Sequence, residues 1–129
     1  DLNQPPQDAI QAADSALDAI HLVFRMFVEQ TLADPQSRGC LMVNTVAELA
    51  AVDPEIAEIG ERQNAMFRRV FHDLLVQAEA NGEIRPNQDL EALAHFLINT
   101  FYGLRITSKL HNERAVLEGI VKTALSRVQ

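Results

Sequence analysis

An all-α fold, built as a single five-helix domain, is predicted by three features of this 129-residue sequence. Apolar residues recur at steps of three and four along long segments, the signature of amphipathic helices, and no segment alternates with the period of two that a strand requires. The five prolines all fall between those segments or at a first helical position, where the missing N–H does no harm. Hydrophobic residues make up 47% of a chain long enough to bury a sizeable core, so neither disulfides nor a structural metal is needed for stability.

The elements follow in order. Residues 1–6 are polar and proline-rich and read as the end of a linker, so the domain is assigned to residues 7–129. The first helix is predicted over 7–32, with Ile10, Ala13, Leu17, Ile20, Phe24, Phe27 and Thr31 along one seam. Leu22, Val23, Met26 and Val28 make its second half apolar almost all round, which places it at the centre of the domain. Asp34-Pro35 marks a loop, and a short apolar helix is predicted over 39–50. Asp53-Pro54-Glu55 supplies a cap, a first helical proline and a negative charge at the positive dipole end. The third helix starts there and stops at Gly82, which suits a left-handed terminus. Ile84-Arg85-Pro86-Asn87 is a turn. Asp89 caps a fourth helix over 90–111, and Asn112 is expected to cap the last, over 113–128.

Charge and composition exclude several classes. Eighteen acidic residues against eleven basic ones give a net charge of −7, and an acidic chain is repelled by phosphate backbones. The densest basic cluster, Arg62, Arg68 and Arg69, is diluted by Glu58, Glu61 and Asp73. These residues are not expected to bind DNA or an anionic membrane surface. One cysteine, Cys40, excludes an intrachain disulfide and fits a reducing cytoplasm, the expected location. There is no apolar run of membrane-spanning length and no leader pattern. A start at Asp1 instead of Met leads us to expect a piece of a longer protein. A Gly-rich phosphate loop, a nucleophile elbow and a convincing acid–base pair are all missing from the sequence, so no enzyme activity and no cofactor are expected. Asp18-x-x-His21 and Glu91-x-x-x-His95 each put a carboxylate and an imidazole on one helix face, but the full ligand set of a dinuclear bundle is missing. No metal is therefore expected.

The fourth helix carries two apolar stripes where a monomer needs one. Leu93, Leu97, Phe101 and Leu104 form the first; Phe96, Asn99, Tyr102/Gly103, Ile106 and Leu110 form the second. The last helix is apolar over about half its girth. Gly103 and Gly119 remove side chains inside helices, at about 1 kcal/mol each against Ala, a cost that a close helix approach would offset. An apolar excess of this extent marks an interface. The last two helices are therefore predicted to pair with those of a second copy as a four-helix bundle. Leu97, Phe101, Gly103, Leu104, Leu117, Ile120, Val121 and Leu125 are the expected contact residues. The alternative is a solitary bundle with a generous core.

Gly39-Cys40-Leu41-Met42-Val43-Asn44, followed by Glu48-Leu49, resembles the short mid-domain helix of many TetR/AcrR-family regulators. Asp53-Pro54-Glu55 comes at that family's distance. Ala78-Glu79-Ala80-Asn81-Gly82-Glu83-Ile84 is similar to its next helix end and turn, and Ala94 with Gly103-Leu104-Arg105 to its penultimate helix. The resemblance spans the whole chain and is densest from Gly39 to Leu125. It implies the C-terminal effector-binding and dimerisation domain of a bacterial regulator, expected to be a repressor. DNA would be read only by an N-terminal helix-turn-helix domain, for which nothing before Gln7 is long enough. It also implies a small, largely apolar effector among the first four helices. Polar residues on apolar seams are then the candidates to orient it: His21, Asn44, Gln63, Asn99 and Tyr102, with Phe24, Phe67 and Phe71 as walls. Each has a plainer alternative as a core residue or a backbone-bonded edge residue. Cys40, at a helix start that would lower its thiol pKa, is a candidate thiol sensor; a small buried apolar residue is its plainer role. A helical adaptor that binds another protein, and more remotely a cofactor-holding bundle enzyme, are the alternative functions.

Overall fold

A computed structural model describes residues 7–33, 46 and 48–129. Among them the chain forms five helices and no strand: α1 (Gln7–Ala12), α2 (Ala16–Leu32), α3 (Pro54–Ala80), α4 (Leu90–Leu110) and α5 (Arg114–Val128). The all-α class is as the sequence predicts.

The helix predicted over 7–32 is two helices. Ser15 is extended (φ −151°, ψ 168°) and its hydroxyl accepts the N–H of Asp18, an N-cap that starts α2 afresh. A second cap comes from far along the chain: the Leu17 N–H donates to Glu83 Oε1 at 2.9 Å. That bond holds the Glu83 carboxyl below the usual carboxylate range, with help from Asn81 and Ser15. The apolar seam runs on across the break because Ile10, Ala13 and Leu17 all still pack on the core. Periodicity alone therefore could not reveal the interruption.

Of the short helix predicted over 39–50, Val46, Glu48 and Leu49 are helical; the remainder, with Cys40 and Asn44, lies outside the described residues. The next two starts are capped as expected. Asp53 Oδ1 accepts the N–H groups of Glu55 and Ile56, and Asp89 Oδ1 accepts that of Ala92. At the end of α3, Gly82 takes φ 72°, and the Glu83 N–H closes on the Ala78 carbonyl at 2.8 Å, the wrap that a left-handed residue permits. Asn112 is not the cap of α5. That position belongs to Glu113, which makes no side-chain cap bond. The start of α5 is instead fastened by Arg114, which forks onto both carboxylate oxygens of Glu29 in α2 and also reaches Glu118. The fork lowers the Glu29 pKa and raises that of Arg114. The far end of α5 is held by the α3–α4 turn, where Arg85 and Gln88 donate to the Arg127 and Val128 carbonyls.

α2 lies among α3, α4 and α5, and the long α3 runs beside α4. Ile20, Phe24, Phe71, Leu75, Leu97, Leu104, Leu117 and Leu125 are essentially sealed from solvent. This corrects the sequence assignment of the α4 stripes. Leu97 and Phe101, with Leu117 and Leu125 of α5, were expected to face a second copy; all four are buried in the chain's own core, as is Leu104, which also borders the outer side of α4. The reason is geometric: α4 is flanked by three helices of its own subunit, and they take the richer stripe. What stays outside is the second stripe, where Phe96, Ile106 and Leu110 are exposed.

Candidate functional site

Between the first half of α3 and the second half of α4, closed on a third side by Val46 and Ala50, is a cavity of about 430 Å³. Its α3 wall is Ala57, Gly60, Gln63, Asn64 and Phe67, at the steps of three and four that keep residues on one helix face. Its α4 wall is Phe101, Tyr102 and Arg105. Gly60 sets how near Val46 comes: a Cβ there would lie 3.0 Å from the valine Cγ1. Glu61 is the acidic member of the lining, and it is exposed.

The cavity floor is aromatic. Phe101 is the hub, with ring centroids 4.2 Å from Phe27, 5.0 Å from Phe67 and 6.4 Å from Phe24. The Arg105 guanidinium lies 4.8 Å from the Phe101 centroid and 5.4 Å from that of Phe27. A planar cation stacked on rings retains favourable electrostatics where water is scarce, and Arg105 is only 3% exposed. Asn64 Nδ2 donates to the Tyr102 hydroxyl at 3.3 Å across the two walls. Among the described residues the lining combines apolar surface, a few convergent polar groups and a buried arginine.

Gln63, Phe67 and Tyr102 are therefore brought together as the sequence suggested. The other candidates are not. Phe24 and Phe71 are fully buried and stack on each other at 5.6 Å as plain core. His21 lies in a separate groove between α2 and α5, with Nε2 2.9 Å from Gln129 Nε2. Asn99 is exposed on the outer side of α4. Cys40 and Asn44 lie outside the described residues. Sequence reasoning missed Asn64 and Arg105 and gave Phe101 to the wrong surface. The signal for Arg105 was present: Ala94, Ile98, Phe101, Arg105 and Ser108 are all buried, and this one charge interrupts a run at helical spacing.

A second concavity, of about 820 Å³, runs along the outer side of α4 and α5. Small and apolar residues predominate in its lining, among them Gly103, Leu104, Gly119, Ile120 and Phe96, with Asn99. Arg127 is its one charged residue. Neither glycine meets anything: a Cβ on Gly103 or Gly119 would find no atom within 4 Å. The close helix approach expected of them is thus not made within the subunit. Of the expected contact residues, Gly103, Leu104 and Ile120 line this groove, whereas Val121 lines the one between α2 and α5. That α2–α5 groove carries Arg25, Glu29, Glu118 and Lys122 and reads as a solvated, ion-paired face.

Among the described residues no three His, Cys, Asp or Glu side chains are grouped to hold a metal, and no helix is long and apolar enough to cross a membrane.

The chain is 29% identical over 126 residues to the HTH-type transcriptional regulator YezE of Bacillus subtilis, an alignment covering 96% of this chain and 64% of YezE. It is 34% identical over 86 residues to the HTH-type transcriptional repressor ComR of Escherichia coli, covering 67% of this chain and 40% of ComR. It therefore spans less than two thirds of the length of either relative. No solved structure matches it. The family described as tetracyclin repressor-like, C-terminal domain, matches residues 16–124, nearly the whole of the helical domain, and the chain belongs to that family.

Proposed function

We propose that this chain is the effector-sensing and homodimerisation domain of a TetR-type transcriptional repressor, acting on DNA through a separate N-terminal helix-turn-helix domain. The observation that carries this reading is the division of labour on α4. One side helps to wall the α3–α4 cavity with Phe101, Tyr102 and Arg105; the other presents Gly103 to an open, nearly uncharged groove. Regulators of this family are DNA-binding dimers with small-molecule effectors. A single helix touching both places gives ligand and dimer interface a shared rigid element.

The second copy is the proposed occupant of the outer groove for two reasons. Charge is depleted there in a chain whose residues are 22% charged, as at the centre of an interface. Two glycines in its lining, where a Cβ would meet nothing within 4 Å, leave room for the backbone of another helix. Two α4–α5 pairs meeting about a two-fold axis form a four-helix bundle. A ligand wedged between α3 and α4 would then alter how the two subunits sit, and with them the spacing of two DNA-reading heads. The test is sedimentation equilibrium of the chain at micromolar concentration. A symmetric dimer is expected, and a persistent monomer would overturn this reading.

A further inference from the structure

Three neutral polar side chains, Gln63 and Asn64 of α3 and Tyr102 of α4, meet at the α3–α4 cavity beside the rings of Phe67 and Phe101. We infer that the effector of this pocket is an uncharged aromatic compound with a hydrogen-bond acceptor: its ring lies on Phe67 and Phe101, and its oxygen accepts the proton of the Tyr102 hydroxyl. The inference rests on the reading of the cavity as an effector site and adds the ligand class.

Three observations carry it. The first is the hydroxyl. Asn64 Nδ2 donates to the Tyr102 oxygen at 3.3 Å, so that oxygen already serves as an acceptor. A phenol keeps one O–H to give, and Tyr102 is half-buried on the cavity wall. An acceptor brought by the ligand takes that proton in place of water. The Asn64 bond also holds the oxygen in position, so less freedom is lost on binding. The second observation is the aromatic wall. The Phe67 and Phe101 centroids lie 5.0 Å apart with their planes tilted by 34°, and the Tyr102 ring meets Phe101 edge-on at 6.3 Å. A ligand ring extends this cluster and gains from ring–ring geometry beyond the area it buries. The third is the placement of charge. Glu61, the acidic residue of the lining, is exposed and keeps its water. Arg105 already has its interactions within the chain and serves as wall. An ion drawn from water into such a site needs a counter-charge, whereas Gln63, Asn64 and Tyr102 satisfy a neutral oxygen. A volume of about 430 Å³ sits at the small end of ligand pockets and suits a compound of one or two rings.

The experiment titrates the chain with acetophenone and 2-acetylnaphthalene, each beside its isopropenyl isostere, which keeps the shape and puts a CH₂ where the oxygen was. Cyclohexyl methyl ketone, benzoate and benzamidinium complete the set. Calorimetry gives the affinities. Tyr102 is the one tyrosine of the chain, so ¹³C-tyrosine labelling gives a single ring signal that reports on this cavity. The aryl ketones are expected to shift that signal and to bind about 2- to 12-fold more tightly than cyclohexyl methyl ketone, the worth of a ring–ring contact. Tyr102→Phe keeps the ring and removes the donor. It should lower the affinity for each ketone, relative to its isostere, by about 2- to 12-fold, the worth of a neutral hydrogen bond. Because the isostere is measured in both proteins, its greater hydrophobicity cancels from the comparison, and its unchanged binding shows that the variant folds. A ketone-to-isostere ratio that Tyr102→Phe leaves unaltered would overturn the hydroxyl contact, and tighter binding of benzoate or benzamidinium than of acetophenone would overturn the uncharged class. In both of those cases a shifted Tyr102 signal leaves the effector pocket standing. If no compound moves the Tyr102 signal, the inference and the pocket reading both fall.

Discussion

Gly103 provides the sharpest single test, because one substitution is expected to act in opposite directions on the subunit and on the dimer. In the isolated chain, a Cβ at residue 103 meets nothing within 4 Å, and the residue is exposed on α4. Gly103→Ala therefore creates no clash and recovers the helix propensity that glycine lacks, about 0.8–1 kcal/mol. The monomer becomes more stable. If a second α4 packs against this position, the methyl intrudes on the approach and the dimer weakens; Gly103→Leu, four times the intrusion, should abolish it. Overpacking of this kind costs about 1–3 kcal/mol, a 5- to 150-fold rise in the dimer Kd. Thermal unfolding across protein concentrations gives the subunit term as the low-concentration limit, and sedimentation equilibrium gives Kd. Stabilisation at high dilution together with weaker association is the expected pair of results. An unaltered Kd for Gly103→Leu would refute the placement of the interface.

Other expectations are as definite. Phe101→Ala removes the hub of the aromatic floor and the main support of Arg105, and should cost the subunit about 3–5 kcal/mol by urea unfolding. A loss below about 2 kcal/mol would show that Phe101 is not the core residue its burial indicates. Ser15→Ala should cost about 0.5–2 kcal/mol and loosen the α1–α2 junction, seen as faster amide exchange at Asp18; no change there would mean that the break is held by Glu83 alone. Glu83 and Glu29 both titrate below the ordinary carboxylate value of 4.5. Groups with depressed native pKa values contribute stability that is present above the unfolded pKa and lost as pH falls through the folded one. The melting temperature should therefore decline as pH drops below about 4.5, and Glu83→Gln should flatten that decline. A variant whose acid limb matches wild type would remove the Leu17–Glu83 bond as its cause.

The starts of α3 and α4 were legible because a cap is a local event: Asp53 and Asp89 bond N–H groups two or three residues away, within the reach of sequence reading. Gly82 was legible for the same reason, since a positive φ is a property of one residue. The α1–α2 break was not, because half of its capping comes from Glu83, 66 residues from Leu17. The site divided along the same line. Gln63, Phe67 and Tyr102 stood out as polar or aromatic residues on helical seams. Arg105 was passed over as an ordinary charge, because only its partners in space, Phe27 and Phe101, show that it is enclosed.

The sequence by itself determined that this chain is helical, where most of its helices begin and end, and that α4 carries more apolar surface than one face can use. Those are consequences of spacing and of bonds within a turn or two. Which stripe of α4 turns inward was decided only by tertiary structure: α2, α3 and α5 crowd the side bearing Leu97, Phe101 and Leu104, and Gly103 is left facing out. The choice depends on how much area each neighbouring helix can cover, a quantity that belongs to the packed molecule and to no local stretch of the chain.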